Sequence, residues 1–425
     1  MKYTRVALWS ACGILSATNL STTTNAFAPR SASRQNSGTS PIAFNQRLIH
    51  TNQSIRFNKN TNKRRRMASS STTSLNSYTV GIVGATGAVG KEIRNCLEDR
   101  GILKVDKLRF FGSKRSAGKT TPTKNNGDVE IELFSVEAAR GCDVVFLAVD
   151  GDFALAHAKA ISDGDNGAIV IDNSSAFRYE PDIPLVVPEI NGECTKGSKL
   201  IANPNCTTAI GLMAIWPLIK AFGVKKILMS TYQASSGAGQ PGMDELTEGT
   251  KKYLEGDMKS HDGVKNEIFA YPLPFNVIPQ IDKFMPNGYT KEEMKVTWES
   301  RKICDLGDDV PISCSAVRIP TIRAHSEVIV LETKDKVDLE KARQVLEDAP
   351  GVVVKDDPDT LSYPMPLTAT GSYDVEVGRI RKSLAFGDYG LEFFVCGDQL
   401  LRGAALNAVL VAEEMDRNGA LSQSS

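Results

Sequence analysis

Cys206 has surroundings that are typical of a reactive thiol. It lies in the stretch Asn-Pro-Asn-Cys-Thr-Thr at 203–208, between a predicted strand at 199–202 and a predicted helix at 209–216. Pro204 interrupts regular structure between the two. A thiol at a helix N-terminus faces free N–H groups and the positive end of the helix dipole, which lower its pKa. The alternative is a buried structural cysteine, but the polar turn favours a nucleophile.

A cysteine nucleophile needs a proton partner that titrates near neutrality, and imidazole is the usual one. Beyond residue 77 the sequence contains three histidines, His157, His261 and His325. The first lies within a predicted helix and the second in a polar turn, whereas His325 lies between two predicted strands, close to Arg318. We therefore predict that His325 is the partner, with a structural histidine as the alternative.

A glycine-rich turn predicts nucleotide binding. Residues 78–83 have the apolar pattern of a buried strand, and residues 91–100 that of an amphipathic helix. Glycines between a strand and a helix let the backbone approach a pyrophosphate at the helix N-terminus. The spacing is GxxGxxG rather than GxGxxG, so the prediction depends on the position directly after the strand. The turn consists of Gly84, Ala85, Thr86, Gly87, Ala88, Val89 and Gly90.

The loop after the second predicted strand, 107–111, indicates NADP rather than NAD. An NAD site usually has an acidic residue here, bound to the ribose 2′-hydroxyl. Residues 112–119 instead hold three cations and no acid, which suits a 2′-phosphate. A solvated basic loop is the alternative. The candidate ligands in this loop are Ser113, Arg115 and Ser116.

Arg178 is a candidate anion clamp. It follows the predicted strand at 168–172, and ligands bind at the carboxyl ends of the strands in an open α/β sheet. A guanidinium binds phosphate through two hydrogen bonds. A surface salt bridge is the alternative. Further predicted strands lie at 142–149, 225–232, 312–319 and 328–333, and further helices at 153–161, 242–253, 291–302, 339–348 and 400–416.

Composition restricts the classes of function. Residues 1–77 contain eleven Lys or Arg and no acid, so residues 78–425 carry 39 basic and 50 acidic side chains, a net charge of −11. This acidic body gives no electrostatic basis for nucleic-acid binding. The eight cysteines form no CxxC pair and no metal-ligand spacing, which favours free thiols in a reducing compartment and no metal site.

The first 77 residues have the composition of a targeting segment. Lys2 and Arg5 precede an apolar run at 6–15 that is too short to span a membrane. We predict a signal peptide at 1–26 and, at 27–77, a Ser-, Thr- and Arg-rich transit-peptide-like segment. Together they resemble the bipartite plastid presequences of algae with secondary plastids, which implies the plastid stroma and no membrane association of the mature form. A mitochondrial presequence and a secreted protein are the alternatives.

Six motifs in one order resemble aspartate-β-semialdehyde dehydrogenases, and the resemblance runs from about residue 78 to 414. It implies an α/β fold with an N-terminal Rossmann NADP-binding domain and a C-terminal α+β catalytic and dimerisation domain, in a homodimer or homotetramer. The expected domain limits are 78–203 and 204–397, with a helix at 398–420 returning to the first domain. The motifs lie at 84–90, 116–119, 173–178, 203–208, 233–239 and 318–327.

The resemblance implies a reaction and a role for each matched residue. L-4-Aspartyl phosphate would be reduced by NADPH to L-aspartate 4-semialdehyde and inorganic phosphate, through a thioester on Cys206, in the biosynthesis of lysine, threonine, methionine and isoleucine. His325 matches the acid/base residue and Gln233 a residue that orients the acyl group. The other roles are the substrate carboxylate at Arg318, its amino group at Glu299, phosphate at Arg178, Lys302 and Asn205, and cofactor binding at Ser236, Gly237 and Asn407, the last near the nicotinamide.

Two rival functions remain open. N-acetyl-γ-glutamyl-phosphate reductases share this chemistry, although the segments at 233–239 and 318–327 favour aspartate semialdehyde. A cofactor-binding regulatory protein without turnover is a rival of another class. The presence of Cys206, Gln233 and His325 together argues against it.

Overall fold

The computed structural model describes residues 77–256 and 266–421, so the predicted targeting segments and His261 lie outside the described residues. A seven-stranded sheet in the order β3-β4-β2-β1-β5-β6-β7 forms the first part, and all its pairings are parallel except β3 with β4. Its central strands are buried on both faces, which explains their unbroken apolar sequences. The strands are β1 Tyr78–Val83, β2 Val105–Gly112, β3 Thr120–Pro122, β4 Asp128–Leu133, β5 Val144–Leu147, β6 Ile169–Asp172 and β7 Leu200–Ala202.

Helices cover this sheet, and the first begins directly after the glycine turn. Its N-cap, Gly87, is extended and offers no side chain to the first N–H groups of the helix. The peptide N–H groups at that end are therefore available to a ligand. The helices are α1 Ala88–Arg100, α2 Val136–Arg140, α3 Gly151–Ser162 and α4 Pro188–Asn191.

A six-stranded mixed sheet in the order β11-β12-β13-β10-β8-β9 forms the second part. β8 pairs antiparallel with β10 and parallel with β9, so the ends of β8 and β9 and the start of β10 meet at one edge. The sequence pattern did not predict β12 or β13. The strands are β8 Lys226–Gln233, β9 Ile312–Arg318, β10 His325–Glu332, β11 Val352–Val354, β12 Val375–Lys382 and β13 Gly390–Gly397.

The helix that follows β7 connects the two parts. It begins at Cys206, three residues before the predicted start, and is apolar on nearly all sides because it packs between other elements. The helices of the second part are α5 Cys206–Phe222, α6 Gly239–Leu254, α7 Lys291–Cys304, α8 Leu339–Glu347 and α9 Pro366–Ala369.

The sequence predicted one regular helix at the C-terminus. The structure has two helical pieces there. A π-helical turn, Leu401–Ala405, precedes α10, Leu406–Arg417. Leu406, Val409 and Met415 share an apolar cluster with β1 and α1, so α10 packs on the nucleotide-binding part. Among the helices of residues 77–256 and 266–421, none is both long and apolar enough to cross a membrane.

Candidate active site

A cavity of about 290 Å³ lies where the ends of β6, β7, β8 and β9 meet the N-terminus of α5. Both halves of the chain contribute to its wall, which combines one thiol, two guanidinium groups, one ammonium and one carboxylate. Its side chains are therefore suited to a small anionic substrate that undergoes chemistry at sulfur. The polar and reactive lining residues are Asn173, Ser175, Arg178, Asn203, Asn205, Cys206, Gln233, Ser236, Glu292, Lys295, Arg318 and Gln399.

Cys206 was predicted to lie near a helix N-terminus and is the first residue of α5, but its pKa is not lowered. Asn205 is the N-cap, and its Oδ1 accepts from the N–H groups of Thr207 at 3.0 Å and Thr208 at 3.3 Å. Burial, with a further contribution from the charge of Glu292, raises the pKa of Cys206 to about 12. Desolvation of the thiolate outweighs the helix N-terminus and the nearby guanidinium groups, so the free chain holds a protonated thiol.

His325 is the first residue of β10 and is fully buried. Its Nδ1 accepts a hydrogen bond from the N–H of Ala234 at 3.1 Å, so the proton of the neutral ring is assigned to Nε2. Burial and the charge of Arg318 lower the pKa of His325 well below its usual range. In the described part of the chain Nε2 has no hydrogen-bond partner. The resting imidazole is therefore neutral and has one N–H to donate.

Gln233, at the end of β8, connects the second sheet to the first turn of α5. Its Nε2 donates to Thr207 Oγ1 at 2.8 Å and lies 3.4 Å from Glu292 Oε1. These contacts hold the amide against the cavity wall, next to the nucleophile. The placement suits the predicted acyl-orienting role, which remains a prediction.

Arg318 ends β9 and also lines the cavity. Its Nη1 donates to the carbonyl oxygen of Ala234 at 2.6 Å, and its guanidinium lies over the ring of Phe269. A Cβ on Gly237 would lie 2.8 Å from Arg318 Nη1 and 3.4 Å from His325 Nε2. Gly237 therefore keeps space open beside both side chains, and its cofactor contact stays a prediction.

The structure corrects the positions predicted for the acid and lysine on α7. Glu299 is fully buried behind the cavity, where it pairs with Arg178, and Lys302 donates to backbone carbonyls. The α7 residues that line the cavity are Glu292 and Lys295, which form an ion pair at 3.0 Å. They have the same spacing as the predicted pair and lie two turns earlier on the same helix face, so the sequence pattern alone does not distinguish the two pairs.

The glycine turn has the shape of a phosphate cradle. Gly84 has φ +83°, and a Cβ there would lie 2.3 Å from the carbonyl oxygen of Ala148. A Cβ on Gly90 would lie equally close to the carbonyl oxygen of Gly84. With the uncapped N-terminus of α1, these residues fit a dinucleotide pyrophosphate. Val89 also lines the cavity, so the nucleotide site and the thiol share a wall.

Two predicted cofactor residues have other contacts. Asn407 is fully buried and uses both amide hydrogens, one on the carbonyl of Val186 and one on Asn203 Oδ1. It thus orients Asn203, which lines the cavity, and is not itself part of the wall. Ser236 lies in the wall and its hydroxyl accepts from Gln399.

The predicted cofactor residues of the loop after β2 lie at the surface. Ser113 and Arg115 are exposed and Ser116 is half-buried, and the Ser116 hydroxyl donates to the carbonyl oxygen of Ser113.

Comparison with known proteins gives one consistent family. The semialdehyde dehydrogenase NAD binding domain matches residues 79–198, and the semialdehyde dehydrogenase dimerisation domain matches residues 215–402. Aspartate-semialdehyde dehydrogenases of Aquifex aeolicus and Synechocystis are each 41% identical, over 80% of this chain and 99% and 98% of their own. A crystal structure of aspartate semialdehyde dehydrogenase II complexed with ASA from Vibrio cholerae has a TM-score of 0.75 at 36% identity, covering 81% of this chain and 99% of its own. The predicted fold class is confirmed.

Proposed function

Because the chain belongs to the aspartate-semialdehyde dehydrogenase family, we propose that it interconverts L-4-aspartyl phosphate and L-aspartate 4-semialdehyde plus phosphate, with NADP(H). The observation that carries this proposal is the cavity itself. Cys206 lies in its wall together with Arg178, Arg318, Lys295 and Glu292. Three cations, one carboxylate and a thiol complement a substrate with two anionic groups, one ammonium and a reactive carbonyl.

Charge and position suggest how the substrate is held. Arg318 binds the α-carboxylate through its guanidinium fork, and Glu292 binds the ammonium. Arg178 and Lys295 bind phosphate. Glu292 and Lys295 thereby take the roles first predicted for Glu299 and Lys302.

Covalent catalysis by Cys206 divides the reaction into two steps. In the direction of aldehyde oxidation, Sγ bonds to the aldehyde carbon and the thiol proton ends on the aldehyde oxygen. Conversion of this adduct to a thioester removes a hydride from its carbon and a proton from its oxygen, and a nicotinamide cofactor held by the turn at 84–90 would supply the hydride acceptor. A phosphate oxygen then attacks the carbonyl carbon, the C–S bond breaks, and the acyl phosphate leaves the regenerated thiol.

His325 exchanges a proton with the oxygen of the adduct. In the resting tautomer its Nε2–H is a donor for that oxygen. To take a proton, the ring must carry its own on Nδ1, which the N–H of Ala234 opposes. The resting geometry therefore makes His325 a hydrogen-bond donor first and a base only after its ring rearranges.

The cofactor preference is proposed from the basic loop after β2. Ser113, Arg115 and Ser116 lie at the carboxyl end of this strand, where a ribose 2′-phosphate would lie. The expected result is a higher kcat/KM with NADP than with NAD, and a smaller ratio in Arg115→Ala. Equal efficiency with both cofactors in the wild-type enzyme would contradict this assignment.

A steady-state assay tests the reaction. Purified protein should reduce NADP through repeated turnovers only when L-aspartate 4-semialdehyde and phosphate are both present. Cys206→Ala should abolish turnover yet keep NADPH binding, since the cradle at 84–90 is unchanged. Preference for N-acetyl-γ-glutamyl phosphate in the reverse assay would favour the rival reductase, and cofactor binding without any turnover would favour the regulatory protein.

We further propose where the protein acts and in what assembly. The composition of residues 1–77 supports import into the plastid stroma, with the mitochondrion as the alternative. There it would act in the biosynthesis of lysine, threonine, methionine and isoleucine. The matched dimerisation domain supports a homodimer, with a homotetramer as the alternative. A fluorescent protein fused after residue 77 should accumulate in plastids, and mitochondrial fluorescence would contradict the first assignment.

A further inference from the structure

Glu299 joins the arginine on the phosphate side to the helix of the nucleophile. Its carboxylate is fully buried between the segment that follows β6 and the N-cap of α5. Oε1 accepts from Arg178 Nη1 at 3.0 Å and from the hydroxyl of Tyr179 at 3.3 Å. Oε2 accepts from the backbone N–H of Asn205 at 2.6 Å. One side chain therefore contacts both a cavity wall and the residue that precedes Cys206.

We propose that Glu299 is a positioning residue for phosphate. It holds the Arg178 guanidinium in place on the wall and fixes its distance from the N-terminus of α5, so that phosphate meets Arg178 and the Cys206 acyl group together. This inference rests on the proposed function, in which Arg178 binds phosphate.

The remaining contacts of Arg178 agree with this role. Nη2 donates to the carbonyl oxygen of Asn173 at 2.9 Å, so each terminal nitrogen of the guanidinium has one protein partner. Nε is buried and has no partner in the described part of the chain. The guanidinium is thus held at two points and keeps N–H groups for a ligand.

The next turn of α7 holds the backbone of the same segment. Lys302 Nζ donates to the carbonyl oxygens of Arg178 at 3.0 Å, Glu180 at 2.6 Å and Ile183 at 2.8 Å. Helix α7 therefore fixes the side chain of Arg178 through Glu299 and its backbone through Lys302. The two residues act on the phosphate site from behind, without lining it.

The carboxylate is needed because both of its oxygens accept hydrogen bonds. A glutamine has one acceptor oxygen and one amide group, which would face a donor on either Arg178 or Asn205. Glu299→Gln should therefore free either the guanidinium or the start of α5. We expect its KM for phosphate to rise about tenfold or more, while the KM for NADP stays within about twofold of wild type.

Glu293→Gln is the matched control. Glu293 lies on the same helix and its carboxylate also accepts from backbone N–H groups, those of Thr290 and Ala316. It is not part of the cavity wall. Its substitution should leave the KM for phosphate unchanged.

A double-mutant cycle identifies the route of the effect. If Glu299 acts through Arg178, adding Glu299→Gln to Arg178→Ala should raise the KM for phosphate no further than Arg178→Ala alone. Should Glu299→Gln fail to fold, Glu299→Asp, whose shorter side chain reaches only one of the two donors, should give an intermediate KM. The remaining contact of Glu299→Asp should thus preserve part of the affinity for phosphate.

Three results would overturn the inference. They are an unchanged phosphate KM in every folded Glu299 variant, independent effects in the double variant, and an equal rise in Glu293→Gln. If the wild-type reaction saturates with phosphate but the variant has an unchanged KM for phosphate, only the role of Glu299 is contradicted. A wild-type reaction that does not depend on phosphate contradicts the proposed function as well.

Discussion

Burial is the main cause of the shifted pKa values of the Cys206 thiol and the His325 imidazole. The Cys206 thiol is held protonated and the His325 imidazole neutral, so the resting pair carries no charge. The usual thiolate–imidazolium pair of cysteine enzymes is therefore not the resting state here. The Cys206 thiol must therefore lose its proton as the carbon–sulfur bond forms, once the charged substrate has entered the cavity.

The first prediction concerns the reactivity of Cys206 without substrate. With a thiol pKa of about 12, alkylation by iodoacetamide should still accelerate above about pH 8.5, where an ordinary thiol approaches half ionisation. The rate is measured by mass spectrometry of the Cys206 peptide, with the peptide of exposed Cys194 as internal control. A plateau of the Cys206 rate below neutral pH would show that the helix N-terminus prevails over burial.

The second prediction concerns Glu327, two residues after His325. Its carboxyl group is fully buried, has no hydrogen-bond partner within the described chain, and has a pKa raised well above its usual range by burial. The folded state therefore keeps a proton that the unfolded chain loses above about pH 4.5. Stability from this group is complete below that pH and falls as the pH rises toward the folded-state pKa, at up to about 1.4 kcal/mol per pH unit.

Glu327→Gln should remove this pH dependence. Urea unfolding of wild type and variant from acidic to neutral pH should show the variant gaining relative stability as the pH rises. Glu332→Gln, on the outer end of the same strand, is the control and should follow the wild-type slope. Parallel curves for wild type and Glu327→Gln would contradict a protonated Glu327.

The types of residue that form the site could be predicted from the sequence better than their positions in the chain. Glu299 and Lys302 have the same spacing as Glu292 and Lys295 and lie on the same face of α7. Periodicity cannot choose between the pairs, because the choice depends on which turn of α7 lies along the cavity and which lies behind the segment at 173–183. The pKa of Cys206 was missed for a related reason, since desolvation depends on tertiary packing.

At the scale of elements, the ends of four strands and the N-terminus of α5 converge on the cavity. The predicted parallel strands and the helix at the nucleophile were recognisable because their apolar patterns are long and regular. The π-helical turn at Leu401–Ala405 was not, because its residues also suit a regular helix. It brings Gly403 against Cys206, and a Cβ on Gly403 would lie 2.6 Å from the Cβ of Cys206.

The third prediction tests this close approach. Gly403→Ala must displace either the turn or Cys206, and a shift near 1 Å at a reacting group lowers kcat by about 100-fold. Gly151→Ala, at the start of α3, is the control because an added Cβ there has no neighbour within 4 Å. Steady-state kinetics and thermal unfolding are compared for both variants. Unchanged kcat in Gly403→Ala would show that the contact does not position the thiol.

At the scale of the molecule, the outer face of β8 exposes two large apolar side chains. Leu228 and Tyr232 alternate with buried residues along β8 and are 40% and 37% exposed. They lie within the part of the chain that matches a dimerisation domain. We expect this face to be covered by a second copy.

The fourth prediction follows from that surface. Leu228→Asp combined with Tyr232→Asp should convert a dimer into a monomer in light scattering, because two carboxylates would be buried without partners. Leu155→Asp, at an exposed leucine on α3 in the nucleotide-binding part, should leave the dimer intact. A dimer that survives the double substitution would place the interface elsewhere.

Direct observation of the acyl-enzyme tests the account most closely. The enzyme is incubated with NADP and L-aspartate 4-semialdehyde without phosphate, quenched in acid and digested. Mass spectrometry should then find an aspartyl acyl group on the peptide that contains Cys206, and added phosphate should remove it. An unmodified Cys206 in an enzyme that turns over, or an acyl group on another residue, would contradict the account.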